Sequence, residues 1–261
     1  TVSDEPVTIH CLHYMVEGNK SAGLEKIQAA FSELYPNVTF ENSAYSQGTD
    51  YFAQLQTAIA SGDMPEIMMG NPGLYTDLIE GGYVMDLTGN AVIEGLGLTQ
   101  ADMGDVSYQG KWYAFPVDFK TWGVYYNKDI FDQAGIEYPT NDMTMADFDA
   151  KIREVYEKTG IYGNIYHTWR STTTLFGILD GKNTVIDGNY DFLKPYYEQV
   201  MAEQTDGVIP NYGEQKTANL HYSGAFENGQ AAMCNMGSWF IATLQKYNAE
   251  ASANGVQPVN F

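Results

Sequence analysis

The sequence predicts an α/β protein with parallel sheet, and three observations carry that expectation. Short strand-like segments at residues 7–12, 38–45 and 66–69 alternate with amphipathic helical stretches at 21–35 and 50–62. Two βα units in succession imply parallel strands whose carboxyl ends share one edge, where ligands collect in open α/β sheets. The alternation resumes in the second half, where Thr144 and Asp147 open another helix ahead of an apolar run at 161–166. The 261 residues suffice for two modest α/β domains or one large one.

Each element has a local cause. The first strand alternates through Val7, Ile9 and Cys11 and ends near His13 and Tyr14. The helix after it sets Leu24, Ile27, Phe31 and Leu34 on one face, expected to be the buried one, and Pro36 stops it. Asp50 is the expected N-cap of the next helix, which runs through Phe52, Leu55 and Ile59 to Gly62. The strand at 66–69 is closed by Gly70-Asn71-Pro72-Gly73. A hairpin follows, turning at Gln109-Gly110. Pro116-Val117-Asp118 begins an extended passage to 122–126, with the crossover between domains placed between Phe115 and Trp122. The helix that Thr144 and Asp147 cap carries Phe148, Ile152, Val155 and Tyr156 and ends at Gly160. The 161–166 run is expected to be a strand leading into a loop with His167, Trp169 and Arg170.

Composition excludes several partners. A net charge of -20, with 13 Lys and Arg against 33 Asp and Glu, argues against nucleic acid and anionic membrane surfaces. Arg153 and Arg170 are the only arginines, so a bidentate phosphate clamp has few sources. The aromatic share is 14%, led by 20 tyrosines, a supply of flat faces with polar tips. No stretch is long and apolar enough for a spanning helix, and residues 1–6 read as the cut end of a polar tether. Cys11 and Cys234, far apart in apolar runs, are expected to be buried free thiols.

The densest signal is Phe226-Glu227-Asn228-Gly229-Gln230-Ala231-Ala232-Met233-Cys234-Asn235-Met236-Gly237-Ser238-Trp239. It reads as a helix end, a turn at Asn228-Gly229, a buried strand, and a new helix with Ser238 as its N-cap. Gly237 gives the backbone room. Trp239 thus stands at the carboxyl end of a strand, and an indole there suits the apolar C–H face of a sugar ring.

Four segments in order resemble the extracellular solute-binding protein family 1, the sugar-binding subunits of ABC importers that include maltose-binding protein. They are Tyr35-Pro36-Asn37 with its flanking helix and strand; the run from Tyr51 to Ile67 containing Ser61-Gly62-Asp63-Met64-Pro65-Glu66; Gly110-Lys111-Trp112-Tyr113-Ala114-Phe115-Pro116 followed by Tyr125-Tyr126-Asn127-Lys128-Asp129-Ile130-Phe131; and Phe226 to Trp239. Glu66 stands where the family commonly has Asp. The resemblance implies a two-lobe type II binding-protein fold, each lobe a mostly parallel sheet flanked by helices, with a cleft between. It divides the chain into a first lobe at 1–117, a hinge crossover at 118–122 and a second lobe at 123–261. The rest of both lobes is expected beyond 261. It further implies a monomer without catalysis or cofactor, on the outer face of the membrane through a lipid anchor or in the periplasm. The expected partners are a neutral oligosaccharide or other sugar and the membrane permease of an ABC transporter.

The candidate ligand residues are Trp239, Asp118, Glu17, Asn71, Tyr14, Gln47, Tyr166 and Trp169. The resemblance places Trp239 at the family's pyranose-stacking position. Tyr14 and Glu17, Gln47, and Asn71 lie in the loops after the three strands of the first half. A carboxylate such as Glu17 can accept hydrogen bonds from vicinal hydroxyls. Asp118 falls at the crossover. Tyr166, His167 and Trp169 end the 161–166 run, and at least one aromatic there is expected to face the ligand; Trp122 fits hinge packing or a subsite wall equally.

Other chemistries fit less well. The four histidines show no HExxH spacing and no adjacent cysteine pairs. Asp187, Asn189, Asp191 and Glu198 imitate part of a calcium loop, but Phe192 takes the glycine position. Gly237-Ser238-Trp239 lacks the second glycine of a nucleophile elbow. A carbohydrate-active hydrolase or lyase using two cleft carboxylates, and a binder of acidic sugars through Arg170, remain the alternatives.

Overall fold

The computed structural model describes residues 4–15, 20–45, 49–70, 72–99, 102–116, 120–169 and 171–261. The chain separates into two compact units, residues 1–119 and 120–261.

In the first unit, β1 (Val7–His13) pairs in parallel with β2 (Val38–Ala44) on one side and β3 (Ile67–Met68) on the other. The connections are α1 (Lys20–Leu34) and α2 (Thr49–Ser61), which makes two βα units as predicted. Leu12, Tyr51, Leu55 and Leu78 form the core. Two details depart from the sequence reading. Asp50 lies inside the first turn of α2, which begins at Thr49, so it is not the N-cap. On α1, Ile27, Phe31 and Leu34 are exposed, and among its described side chains the buried one is Gln28. The Gln28 and Asn42 amides exchange reciprocal hydrogen bonds of 2.9 and 2.8 Å, fastening α1 to β2 through a polar contact rather than an apolar stripe. Gln28 Nε2 also faces Cys11 Sγ at 3.8 Å.

The unit continues through α3 (Pro72–Glu80) and α4 (Ala91–Glu94) to a hairpin of β4 (Ser107–Tyr108) and β5 (Lys111–Trp112). Gln109 and Gly110 both have positive φ, 49° and 78°, the signature of a type I′ turn whose twist matches the flanking strands.

In the second unit, β6 (Trp122–Tyr126) runs antiparallel to β7 (Met233–Gly237), pairing Trp122 with Gly237. Around this ribbon lie α5 (Lys128–Ala134), α6 (Met145–Thr159), α7 (Ser171–Ile178), α8 (Lys194–Thr205), α9 (Tyr212–Thr217), α10 (Tyr222–Glu227) and α11 (Trp239–Ala253). The capping box at Thr144 and Asp147 is complete, and Gly160 ends α6 in the left-handed conformation.

The 161–166 run does not form the expected strand. It touches β7 and its approach through two isolated parallel bridges, Tyr162 to Ala231 and Ile165 to Cys234. Gly163 instead donates its N–H to Val208 at 3.0 Å. A Cβ on Gly163 would come within 2.1 Å of the Ile152 carbonyl, so glycine is what lets the segment lie this close to α6. The named sheet of this unit is therefore antiparallel, with parallel character only at these bridges.

Behind the ribbon, Phe131, Phe148, Ile152, Val155, Val200 and Ile209 build one apolar cluster. Within it Asn164 and Glu203 are fully buried and Tyr166 nearly so. Glu203 Oε1 accepts from Gln199 at 2.9 Å, while Glu203 Oε2, the Tyr166 hydroxyl and the Asn164 amide complete no hydrogen bond of ordinary geometry. Desolvation pushes the Glu203 carboxyl up to about 7, and the Tyr166 phenol well above its usual value for the same reason. Asp149, which faces Glu203 from α6, is held by Arg153 at 3.0 Å, and Arg153 also reaches Asp206 at 2.7 Å. Both thiols are buried inside their own units, Cys11 on β1 and Cys234 on β7. Among the described residues no helix is long and apolar enough to cross a membrane, and no cluster of His, Cys, Asp and Glu could hold a metal ion.

Candidate functional site

In the second unit the ends of the ribbon and three helix starts bring an aromatic surface together. β7 delivers Gly237, and α11 begins two residues later at Trp239. Ser238 occupies the N-cap position with helical backbone angles and makes no side-chain capping bond, contrary to expectation. Its polar groups turn to the neighbouring strand start: Ser238 N donates to the Thr121 carbonyl at 2.8 Å, and Thr121 N approaches Ser238 Oγ at 3.4 Å. The exchange continues the β6–β7 ladder by one residue and seats Trp122 beside Trp239.

Trp122 meets Trp239 edge to face, with ring centres 5.3 Å apart and planes at 87°. Trp169, ahead of α7, lies 6.0 Å from Trp239 with its plane tilted by 35°. Trp239 Nε1 donates to the Tyr222 hydroxyl at 3.2 Å, and Tyr222, first residue of α10, stands edge-on to Trp169 at 5.7 Å. Trp169 is 45% exposed, whereas Trp122 and Trp239 are half-buried on a core that includes Phe226, Met236 and Phe240.

His167 supports this surface from within. It is buried, with its ring 4.3 Å from that of Trp169 and 5.4 Å from that of Trp122. Nδ1 accepts from the Trp169 N–H at 3.3 Å and lies 2.7 Å from the Thr172 hydroxyl. Burial lowers its pKa to about 4, so the ring is neutral at physiological pH. Among the described residues the surface is thus built of aromatic stacking faces, with His167 neutral behind them.

The predicted residues divide accordingly. Trp239 and Trp169 belong to one surface. Tyr166 does not: it is 4% exposed, edge-on to Phe176 inside the core, because the irregular 161–166 passage turns it inward toward Glu203. In the first unit Tyr14 follows β1, its ring edge-on to Tyr51 at 5.0 Å and its hydroxyl donating to the Gly70 carbonyl at 3.2 Å. Parallel register brings His13 level with Ala44 and Leu12 level with Met68, so Tyr14, Tyr45 and Gly70 cluster at the carboxyl ends of the strands. His13 is buried there, its pKa lowered by desolvation. Glu17, Gln47, Asn71, Asp118 and Arg170 lie outside the described residues. Tyr222 is the partner the sequence did not reveal; its only signal is its place at the start of a helix preceding the Phe226 to Trp239 run.

Comparison with known proteins gives consistent matches. The profile of the bacterial extracellular solute-binding proteins matches residues 17–260. A sugar transporter structure from Rhizobium etli, in an open conformation, is 36% identical, with a TM-score of 0.76 over 97% of this chain and 64% of that one. An ABC substrate-binding protein of Listeria monocytogenes in complex with cycloalternan is 26% identical, with a TM-score of 0.76 over 93% of this chain and 64% of that one. By sequence, the ABC transporter periplasmic-binding protein YcjN of Escherichia coli is 22% identical over 97% of this chain, which spans 60% of that protein. The melibiose/raffinose/stachyose-binding protein MelE of Bacillus subtilis is 28% identical over 55% of this chain and 32% of its own.

Proposed function

The chain belongs to the bacterial extracellular solute-binding proteins, and on that premise we propose that it binds a neutral oligosaccharide, without breaking a bond, as the ligand-capturing part of an ABC importer. The observation that carries the reading is the pair of indoles at Trp169 and Trp239. A sugar sandwiched between two rings needs a van der Waals gap of about 3.5–4 Å on each side. Centres 6.0 Å apart leave no room for that. The two rings instead offer adjacent faces, suited to successive residues of a chain. With Nε1 of Trp239 engaged by Tyr222, that indole contributes its face and not a polar edge.

The relatives support the class of ligand: the Listeria protein carries cycloalternan, and MelE is named for raffinose-type sugars. Polar contacts from Tyr14, Glu17, Gln47, Asn71 and Asp118 belong to the same proposal, as do the hinge at 118–122, delivery to a permease, a monomeric state and a location outside the membrane. A hinge there would let contacts made only in a closed form draw the population toward it.

The test is a thermal-shift screen with raffinose, stachyose and α-glucan oligosaccharides, followed by calorimetric titration of the best ligand into wild type and Trp239→Ala. Loss of a stacking hot spot should cost about 2 kcal/mol or more of binding. An unchanged dissociation constant in Trp239→Ala would remove the aromatic surface from the proposal, and release of new reducing ends on incubation would favour a hydrolase.

A further inference from the structure

We propose that Gly237 is a positioning residue for the ligand surface: its missing side chain is the seat in which the six-membered ring of Trp239 rests. The inference rests on the sugar-binding reading for its functional meaning, but its physical content stands apart from any ligand.

A Cβ built on Gly237 would meet Trp239 Cζ3 at 1.9 Å, Cη2 at 2.3 Å and Cε3 at 2.5 Å. These are its three nearest contacts, and all belong to the indole. The backbone does not need a glycine for its own sake, since Gly237 is absent from the residues with positive φ. It is the last residue of β7, paired with Trp122, and a glycine in a ladder pair often marks a place where something approaches closely. Here the close object is the indole itself, folded back over the strand end from the start of α11.

The remaining sides of Trp239 are fixed by different groups. Nε1 is held by the Tyr222 hydroxyl, Trp122 stands at right angles to it, and Trp169 lies tilted beside it. Ser238, between the glycine and the tryptophan, is tied to Thr121, so the backbone cannot shift to relieve a clash without breaking that exchange. A methyl group at 237 must therefore displace the ring. Gly237 sets how far the indole stands above the sheet, and with it the level at which Trp239 meets Trp169.

The test is a double-mutant cycle with Gly237→Ala and Trp239→Phe in the full chain, read first without ligand by near-UV circular dichroism, to which the Trp122, Trp169 and Trp239 cluster should contribute strongly. Gly237→Ala should change the spectrum of wild type about as much as Trp239→Phe does, leave the far-UV spectrum intact, and have much less effect in the Trp239→Phe background. If Gly237→Ala prevents folding, Trp239→Ala in the same chain should restore it by vacating the seat. A Gly237→Ala chain that folds with an unchanged near-UV spectrum overturns the proposal, as does one that stays unfolded after Trp239→Ala. Titration with stachyose should then show a loss on the order of tenfold or more for Gly237→Ala, with the Tyr222→Phe variant as a second displacement of the same ring. Absence of binding of any glycan by wild type would count against the sugar reading, while the spectroscopic cycle would still decide the role of Gly237.

Discussion

Trp169 and Trp239 share a surface but are attached differently, and substitution should separate them. Trp169 is 45% exposed and held mainly by His167 and the edges of its neighbours, whereas Trp239 is half-buried, hydrogen-bonded and seated on Gly237. Trp169→Ala should therefore weaken oligosaccharide binding with little change in melting temperature, while Trp239→Ala should lower both. Parallel calorimetry and thermal melts compare them directly; a large drop in melting temperature for Trp169→Ala would assign that indole to the fold instead. At this scale the sequence told only half the story. Trp239 is legible because strand, glycine, serine and helix are consecutive. Its partners Trp122, Tyr222 and His167 are brought in by three other elements, so nothing in local spacing joins them. Tyr166 was misplaced for a related reason: alternation predicts which residues of a strand share a face, and the 161–166 passage is not a strand.

Local punctuation is a reliable guide to α6 and the hairpin turn, but not to the caps expected at Asp50 and Ser238. The α6 box, its glycine end and the Gln109-Gly110 turn each have a local chemical cause. The face of α1 could not be read, because the contact it buries is an amide pair rather than an apolar stripe. The α6–α8 layer carries a consequence for pH. Glu203 on α8 has a folded pKa raised to about 7, above the ordinary carboxyl value of 4.5, because burial disfavours its charge. Between those values the folded state holds the proton more firmly than the unfolded state, so this group's contribution makes stability fall as pH rises. Above about 7 the buried charge is present in full. His13 and His167, whose pKa values are lowered, act in the opposite direction as pH falls below 6.5. Glu203→Gln should therefore melt higher than wild type at pH 8, by roughly a few degrees, with the difference shrinking as pH falls through the window and vanishing only below 4.5. The two histidines cancel in that comparison because both proteins retain them. A difference independent of pH would show that Glu203 does not titrate in this window.

For the whole molecule, the family was legible because four motifs recur in the same order, each short enough to arise alone but specific together. The -20 charge also belongs at this scale, since it disfavours anionic partners without dictating any one element. The pairing of the second unit's ribbon was the feature hardest to foresee. Residues at 122–126 and 233–237 are separated by several helices, and β propensity alone does not specify strand direction.

The division of the two thiols gives the protein a pair of internal clocks. Cys11 and Cys234 sit one in each unit, and burial pushes both thiols above their usual pKa, Cys234 furthest. A buried, protonated thiol is alkylated only when its surroundings open, so the rate of labelling times local unfolding. Cys11 shares its strand with the exposed Val7 and has 5% of its own surface accessible, while Cys234 is fully enclosed in the cluster that holds Ile165, Phe226, Met236 and Phe240. Iodoacetamide under native conditions, followed by peptide mass spectrometry, should therefore modify Cys11 well before Cys234. Equal rates would mean that both thiols are exposed by openings of similar cost; a slower Cys11 would place the looser structure in the second unit.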